Sequence, residues 1–167
     1  EALSADLGGC GLVVLGETVP EPVKVIRAAY PVLEITENDT PVLPYDRQLV
    51  FWPDYCRMSA ERCIVGLDRV SGGGWAGWEI ACVLSQEPKM ASQVDTKADQ
   101  QGTLELYSDL RLPVYDPYLA WVRKTERTTL FVERWADELQ AGTGMHHALL
   151  RALYAHPVVL NSLPAGW

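Results

Sequence analysis

The most constraining segment of this sequence is residues 78–85, where large apolar side chains alternate with other residues along the chain. One face of this segment is entirely apolar and consists of Trp78, Ile80, Cys82 and Leu84. A period of two with one fully apolar face is the signature of a β-strand. Such a strand has to be buried, so we expect a sheet that holds this segment in its core.

Several other segments also have the pattern of strands. They cover residues 11–15, 32–36, 48–52, 62–70 and 103–107. Residues 71–74, Ser-Gly-Gly-Gly, fit a hairpin turn between the strands at 62–70 and 78–84. One helix is predicted between Pro20 and Pro31, because Val23, Ile26 and Tyr30 recur at helical spacing. The first two-thirds of the chain is therefore predicted to consist mainly of strands.

The last third of the chain changes to helical patterns. Residues 118–139 carry apolar or threonine side chains at alternating steps of four and three, which predicts one long helix. Asp116 and Pro117 supply an N-cap and a proline at the first helical position. The alternative interpretation is a pair of strands at 119–123 and 129–135. A second helix is predicted over residues 145–155, so that residues 117–155 form a helical hairpin.

Together these patterns predict an α+β protein. We expect a mainly antiparallel sheet from the first two-thirds and a C-terminal helical hairpin packed on one face. The length of 167 residues fits a single domain, 1–167. Residues 87–102 are polar and lack a stripe of large apolar residues, so they are predicted to form a mobile loop.

The net charge of the chain limits the kinds of molecule that we expect it to bind. The chain has 22 acidic and 14 basic side chains, a net charge of -8, and residues 1–46 alone carry eight acids and two bases, a net -6. This balance disfavours a general nucleic-acid binder, which needs a basic face. No apolar run is long enough to cross a membrane and no signal peptide is recognisable, so we expect a cytoplasmic protein that binds neither nucleic acid nor membrane. A chain whose signal peptide has been removed is the alternative.

Cysteine, histidine and glycine patterns give no cofactor or metal site. Cys63 and Cys82 lie in apolar runs and are predicted to be buried free thiols, although a bridge between Cys56 and Cys63 remains an alternative. His146 and His147 are adjacent and would point about 100° apart on a helix, so they cannot share a metal. Residues 72–77 match G-x-G-x-x-G, but a strand follows them instead of the helix that binds a dinucleotide.

The aromatic content points to protein binding. The chain has six tryptophans and seven tyrosines, and these are the residues that anchor protein interfaces. The side chains predicted to contact a partner are Trp75, Trp78, Tyr55, Glu37, Asp39 and Asp46. The sequence thus predicts a small acidic interaction module without catalytic activity, such as an inhibitor, an immunity-type protein or an assembly adaptor. Its partner would be another protein, with a basic surface that complements the acids.

Two other functions are compatible with the sequence. One is a small hydrolase or transferase whose dispersed site combines Cys56 with His146 or His147. The other is an acidic mimic of nucleic acid that blocks a basic groove, and its binding would weaken steeply with salt. The oligomeric state is left open by these patterns.

Overall fold

The computed structural model of the chain describes residues 9–16, 21–52, 77–85 and 90–163. The strands are β1 (Cys10–Leu15), β2 (Glu34–Asn38), β3 (Arg47–Phe51), β4 (Ile80–Leu84), β5 (Tyr115–Arg123) and β6 (Leu160–Leu163). The helices in these ranges are α1 (Glu21–Ala29), α2 (Lys97–Tyr107), α3 (Glu126–Gln140) and α4 (Met145–Ala155). A short 3-10 helix, Ala91–Gln93, precedes α2.

The six strands form one mixed sheet in the order β2-β1-β3-β5-β4-β6. β1 is parallel to β2 and β3, and β4 is parallel to β6, whereas β5 is antiparallel to both of its neighbours. The predicted α+β class is confirmed. The predicted mainly antiparallel sheet is wrong, because three of the five described strand pairs are parallel. α1 provides the crossover that parallel pairing of β1 and β2 requires.

Helices cover both faces of the sheet. On one face, Val23 and Ile26 of α1 pack against the sheet side chains Leu12, Val14, Leu49, Phe51 and Trp121. On the other face, α3 and α4 pack together and bury Phe131, Trp135 and Leu149 against Val13, Val50, Ile80 and Val122. The predicted C-terminal pair of helices therefore lies on one face, but α1 occupies the other.

Residues 118–139 are not one long helix. The first part belongs to β5, and α3 begins only at Glu126, after the N-cap Thr125. Leu119 enters the core on the α1 face and Ala120 on the face of α3 and α4, so the strand is apolar on both sides and lacks the usual alternation. Pro117, predicted as a helix start, lies where the register between β4 and β5 shifts, and proline is tolerated in a strand at such a bulge.

The region predicted as a mobile loop is largely helical from residue 91 onward. It contains the 3-10 helix and the first half of α2, and the strand predicted over 103–107 is the second half of that helix. The side chains that α2 buries are polar, namely Asp99, Gln100 and Thr103. A search for apolar periodicity cannot find a helix whose buried face is polar, and this explains the wrong prediction.

Other predicted elements are confirmed or lie outside the described residues. β1, β3 and β4 fall within one or two residues of their predicted positions, β2 is displaced by two, and α4 has the predicted bounds. The predicted strand at 62–70, the hairpin turn at 71–74 and the Cys56–Cys63 alternative all lie outside the described residues.

Candidate functional site

The predicted partner-binding side chains do not form one patch among the described residues. Tyr55 and Trp75 lie outside those residues. Trp78 is partly buried and packs against the core beside α1. Glu37 lies beside Val14, whereas Asp46 precedes Arg47, which lies beside Cys10. In this register Glu37 and Asp46 are offset by five residues along the strand direction, which is about 16 Å.

β2 forms an edge of the described sheet, so part of its backbone faces away from the other described strands. The carbonyl of Asn38 accepts a hydrogen bond from Gly16 N–H at 3.3 Å, so this carbonyl faces β1. The N–H and C=O of one residue point to the same side of a strand, and successive residues alternate. The backbone groups of Ile35 and Glu37 therefore face away from β1, where no described strand lies.

Acidic side chains flank this edge on both faces of the sheet. Glu37 lies on the α1 face, where Arg27 approaches it at 3.6 Å and both side chains are half-exposed. Glu34 is paired in register with Gly11 and lies on the opposite face, exposed to solvent. Asp39, directly after the strand, is also exposed. We call this strand, with Glu34, Glu37 and Asp39, the acidic edge.

Tyr45 contacts the acidic edge on the face of the sheet that α3 and α4 cover. Its hydroxyl shares a hydrogen bond of 2.7 Å with Thr36 Oγ1 on β2. Its ring lies directly over Gly11, where any Cβ would collide with the ring atoms. Glycine in β1 is thus required by the close approach of Tyr45, and the aromatic ring holds β2 against its neighbour.

A second cluster of polar groups surrounds the N-terminus of α4. Gly144 N–H donates to Asp99 Oδ1 at 3.2 Å, and His147 N–H donates to Asp95 Oδ2 at 2.9 Å. Carboxylates stabilise a helix N-terminus, because they accept from its unpaired N–H groups and complement its dipole. A Cβ at Gly144 would collide with the Asp95 carboxylate, so this contact also requires glycine.

Both capping carboxylates are stabilised in their charged form. Burial raises the pKa of Asp95, but hydrogen bonds from the His146 ring and from His147 N–H outweigh burial and hold the pKa below its usual value. Burial likewise raises the pKa of Asp99, and hydrogen bonds from Thr96 and Gly144 more than compensate. Asp95 and Asp99 are therefore ionised at neutral pH.

His147 has a structural role. Its ring is completely buried, with Nε2 3.0 Å from the carbonyl of Ala91 and Nδ1 2.7 Å from Thr103 Oγ1. A carbonyl can only accept, so Nε2 carries a hydrogen and donates it to Ala91, while Nδ1 is hydrogen-bonded to Thr103 Oγ1. Both ring nitrogens are occupied, which leaves His147 unable to serve the predicted Cys–His site.

His146 is arranged differently from His147. Its Nδ1 lies 3.0 Å from Asp95 Oδ1, and because Asp95 is ionised, Nδ1 is the donor. The side chains are 17% and 12% exposed for His146 and Asp95. The ring also makes an edge contact with Tyr118, with centroids 6.1 Å apart. Asp95 itself has a φ of 55°, a left-handed conformation that costs about 1 kcal/mol in a residue other than glycine.

Asp116 is a partly buried carboxyl group close to His146. Burial raises the pKa of Asp116, while Tyr118 N–H, 3.1 Å from Asp116 Oδ1, and the charge of His146 partly offset that effect. Val83, near the carboxyl end of β4, is paired with Asp116, and Trp52, directly after β3, donates its N–H to the Tyr118 carbonyl. Asp116 therefore lies at the edge of the sheet where the parallel strands have their carboxyl ends, and α/β sheets commonly bind ligands at that edge.

A buried ion-pair network links the three C-terminal helices of the described fold. Glu138, whose side chain is 8% exposed, accepts hydrogen bonds from Arg134, Thr143 and Arg151. Arg151 also donates to Thr103 Oγ1 at 3.1 Å and to the Asp99 carbonyl at 2.9 Å. Burial raises the pKa of Glu138, but Thr143 and the arginines outweigh burial and lower it. This network holds α4 and its capping carboxylates in place.

A second buried carboxylate joins strands and helix at the opposite end of the sheet. Glu79 accepts hydrogen bonds from Thr125 Oγ1 at 2.9 Å, Arg127 Nε at 3.2 Å and Val159 N–H at 3.0 Å. Burial raises its pKa, whereas these donors lower it and prevail. Thr125 is the N-cap of α3, so Glu79 connects β4 with the start of that helix.

Thiols, metals and membrane spans contribute no site to the described part of the chain. Cys10 and Cys82 are both buried, and burial together with nearby Asp116 raises the pKa of the Cys82 thiol to about 12. Cys56 lies outside the described residues. Within those ranges no group of three His, Cys, Asp or Glu side chains can hold a metal ion. Within them, too, no helix has the length and apolar character that a membrane crossing needs.

Comparisons with protein-family models, curated proteins and solved structures find no match for this chain. A function for the chain therefore has to come from its own residues. Sequence reasoning singled out His146 but missed Asp95, Asp99 and Asp116. Thr96 and Asp99 form a capping box, and that local pattern was a usable signal for the start of α2. The approach of residues 95 and 116 to residue 146 is set by tertiary structure alone.

Proposed function

We propose that this chain is an acidic interaction module that binds the basic surface of another protein through the acidic edge. The observation that supports this proposal is that β2 is an edge strand among the described strands and carries exposed acids on both faces. Outward backbone groups at Ile35 and Glu37 can pair with an added strand. Glu34 and Asp39 can then contact basic side chains of that strand or its surroundings.

The charges favour a basic partner over a second copy of the chain. Two copies of β2 paired edge to edge would bring Glu34 and Glu37 close to their counterparts, and like charges across a strand pair are destabilising. Charged residues on edge strands are a common protection against such self-pairing. A partner with lysine or arginine replaces repulsion with attraction, and the electrostatic field also speeds association.

The test is affinity capture with matched charge-reversal variants. Wild-type protein is immobilised and exposed to a lysate of its source cells, in parallel with the double variants Glu34→Lys, Asp39→Lys and Glu133→Lys, Asp137→Lys. The second pair reverses two exposed acids on α3, outside the acidic edge, and is the matched control. We expect a basic protein that the wild type and the control capture, that the edge variant loses, and that moderate salt elutes.

Two results would contradict this proposal. Capture of the same proteins by all three forms would show that the acidic edge is not the contact surface. If the wild type captures no specific protein, the proposed interaction function itself is wrong. If the captured protein binds nucleic acid and DNA displaces it competitively, the partner site is a basic groove, as the alternative of a nucleic-acid mimic predicts.

A further inference from the structure

The chain's three histidines differ in how their rings are held, and His146 is the one in a reactive arrangement. His147 has both ring nitrogens occupied by Ala91 and Thr103. His156 is the C-cap residue of α4 and takes part there through its backbone N–H. His146 is fixed by Asp95 at Nδ1, and its Nε2 makes no hydrogen bond to any residue that the structure describes.

The Asp95–His146 pair has the geometry that activates an imidazole base. A carboxylate on Nδ1 fixes the tautomer, so the lone pair is on Nε2, and it stabilises the imidazolium that forms when Nε2 takes a proton. Asp95 is itself held in place by His147 N–H at 2.9 Å. The orientation of His146 thus depends on a chain of fixed contacts that starts in the buried part of α4.

We propose that His146 is a catalytic general base that activates water for the hydrolysis of small, neutral or cationic carboxylic esters. Asp95 is its positioning residue. The ionised Asp95 carboxylate is bonded to the ring, so an anionic substrate would be repelled.

The proposed step balances without a cofactor. The oxygen of a water molecule adds to the ester carbonyl carbon while one proton of that water passes to His146 Nε2. The ester C–O bond then breaks, and the leaving alcohol oxygen takes that proton back from His146 Nε2. This transfer regenerates the His146 ring and leaves one carboxylic acid and one alcohol.

The first test compares ester hydrolysis by matched histidine variants. Wild type, His146→Gln, His156→Gln and Asp95→Asn are assayed with p-nitrophenyl acetate, a small neutral ester. We expect His146→Gln to lose on the order of 100-fold in kcat/KM, the usual contribution of a general base, and His156→Gln to match the wild type. A wild-type rate no greater than that of His146→Gln would overturn the proposal.

The pH profile distinguishes positioning by Asp95 from a merely structural role. The titratable groups that interact with His146 are Asp95 through its hydrogen bond, Tyr118 through its ring contact and Asp116 through its charge. His147 donates its N–H to the same Asp95 carboxylate. The variant Asp95→Asn keeps an oxygen that accepts from Nδ1 but removes the charge. We expect the pH profile of kcat/KM to differ from that of the wild type. An unchanged profile would contradict the assigned role of Asp95.

A second measurement needs no variant and therefore no assumption that variants fold. Diethyl pyrocarbonate transfers its ethoxycarbonyl group to an unprotonated imidazole nitrogen, with ethanol and carbon dioxide released. Mass spectrometry of the wild-type protein at neutral pH gives the rate at each histidine. We expect His146 to react at least about tenfold faster than His156, and His147 to remain unmodified. Equal rates at His146 and His156 would refute an activated ring.

Discussion

Replacement of Arg151 by methionine tests whether the buried ion-pair network stabilises the fold. The guanidinium makes hydrogen bonds to Thr103, Glu138, Thr143 and Asp99, and its side chain is only 16% exposed. Arg151 also lies against Gly102, where an added Cβ would come within 2.5 Å of Nη2. Methionine retains most of the apolar stem and removes every one of these hydrogen bonds.

The expected loss follows from the burial of Glu138. Removal of one partner from a buried ion pair costs about 3–5 kcal/mol, because it leaves a charge without compensation. Arg134 and Thr143 still bond to Glu138, so the value should fall at the lower end, about 3 kcal/mol. The matched control is Arg134→Met, which removes the other arginine from the same carboxylate. Its side chain is 45% exposed, and an exposed pair contributes about 1 kcal/mol or less.

Urea denaturation followed by tryptophan fluorescence measures both variants. With an m-value of about 2 kcal/mol/M, the Arg151→Met midpoint should fall by about 1.5 M and the Arg134→Met midpoint by less than about 0.5 M. Equal shifts for the two arginines would refute the idea that burial decides the contribution. A shift of less than about 0.5 M for Arg151→Met would show that the network adds no net stability.

Two further predictions concern pH. Glu79, Asp95, Asp99 and Glu138 each have a folded-state pKa below the unfolded value, so the stability that they provide is complete above about pH 5 and is lost as the pH falls below about 4. The free energy of unfolding should therefore decrease as the pH is lowered through this range. A free energy of unfolding that does not change with pH would contradict this prediction. Asp116 has the opposite shift, so its favourable contribution is present below its unfolded pKa of about 4 and is lost as the pH rises through the folded value. Asp116→Asn keeps the acceptor for Tyr118 N–H and should raise Tm at pH 7, with the gap closing towards pH 4; a lower Tm at pH 7 would show that the charge is needed for folding.

The helices that could be predicted from the sequence are those that bury one face and whose buried face is apolar. α1 and α4 each place apolar side chains on one face, and both were found. α2 buries Asp99 and Thr103 against α4, so its buried face is polar and the helix was missed. β5 is buried on both faces, and its continuous apolar run was mistaken for part of a helix.

Of the candidate sites, too, the sequence could predict individual residues but not their arrangement. Glu37 and Asp39 were recognised from charge alone, yet their position on an edge strand depends on the strand order. His146 was noticed as a residue, whereas its activation depends on Asp95, 51 positions earlier in the chain. Contacts over such separations leave no periodic signal in one sequence, so local patterns could not reveal them.

The place of β4 in the sheet has a consequence for synthesis of the protein on the ribosome. Both neighbours of β4, which are β5 and β6, follow it in the chain, and β6 is paired with residues made 80 positions before it. A growing chain therefore carries the apolar segment Ile80–Leu84 without a partner strand until β5 emerges, and without its second partner until α3 and α4 are also complete. Pairings over such distances form slowly, and unpaired apolar strands aggregate readily. Protection of this nascent segment, by slow translation or by a chaperone, should therefore determine how much folded protein a cell obtains.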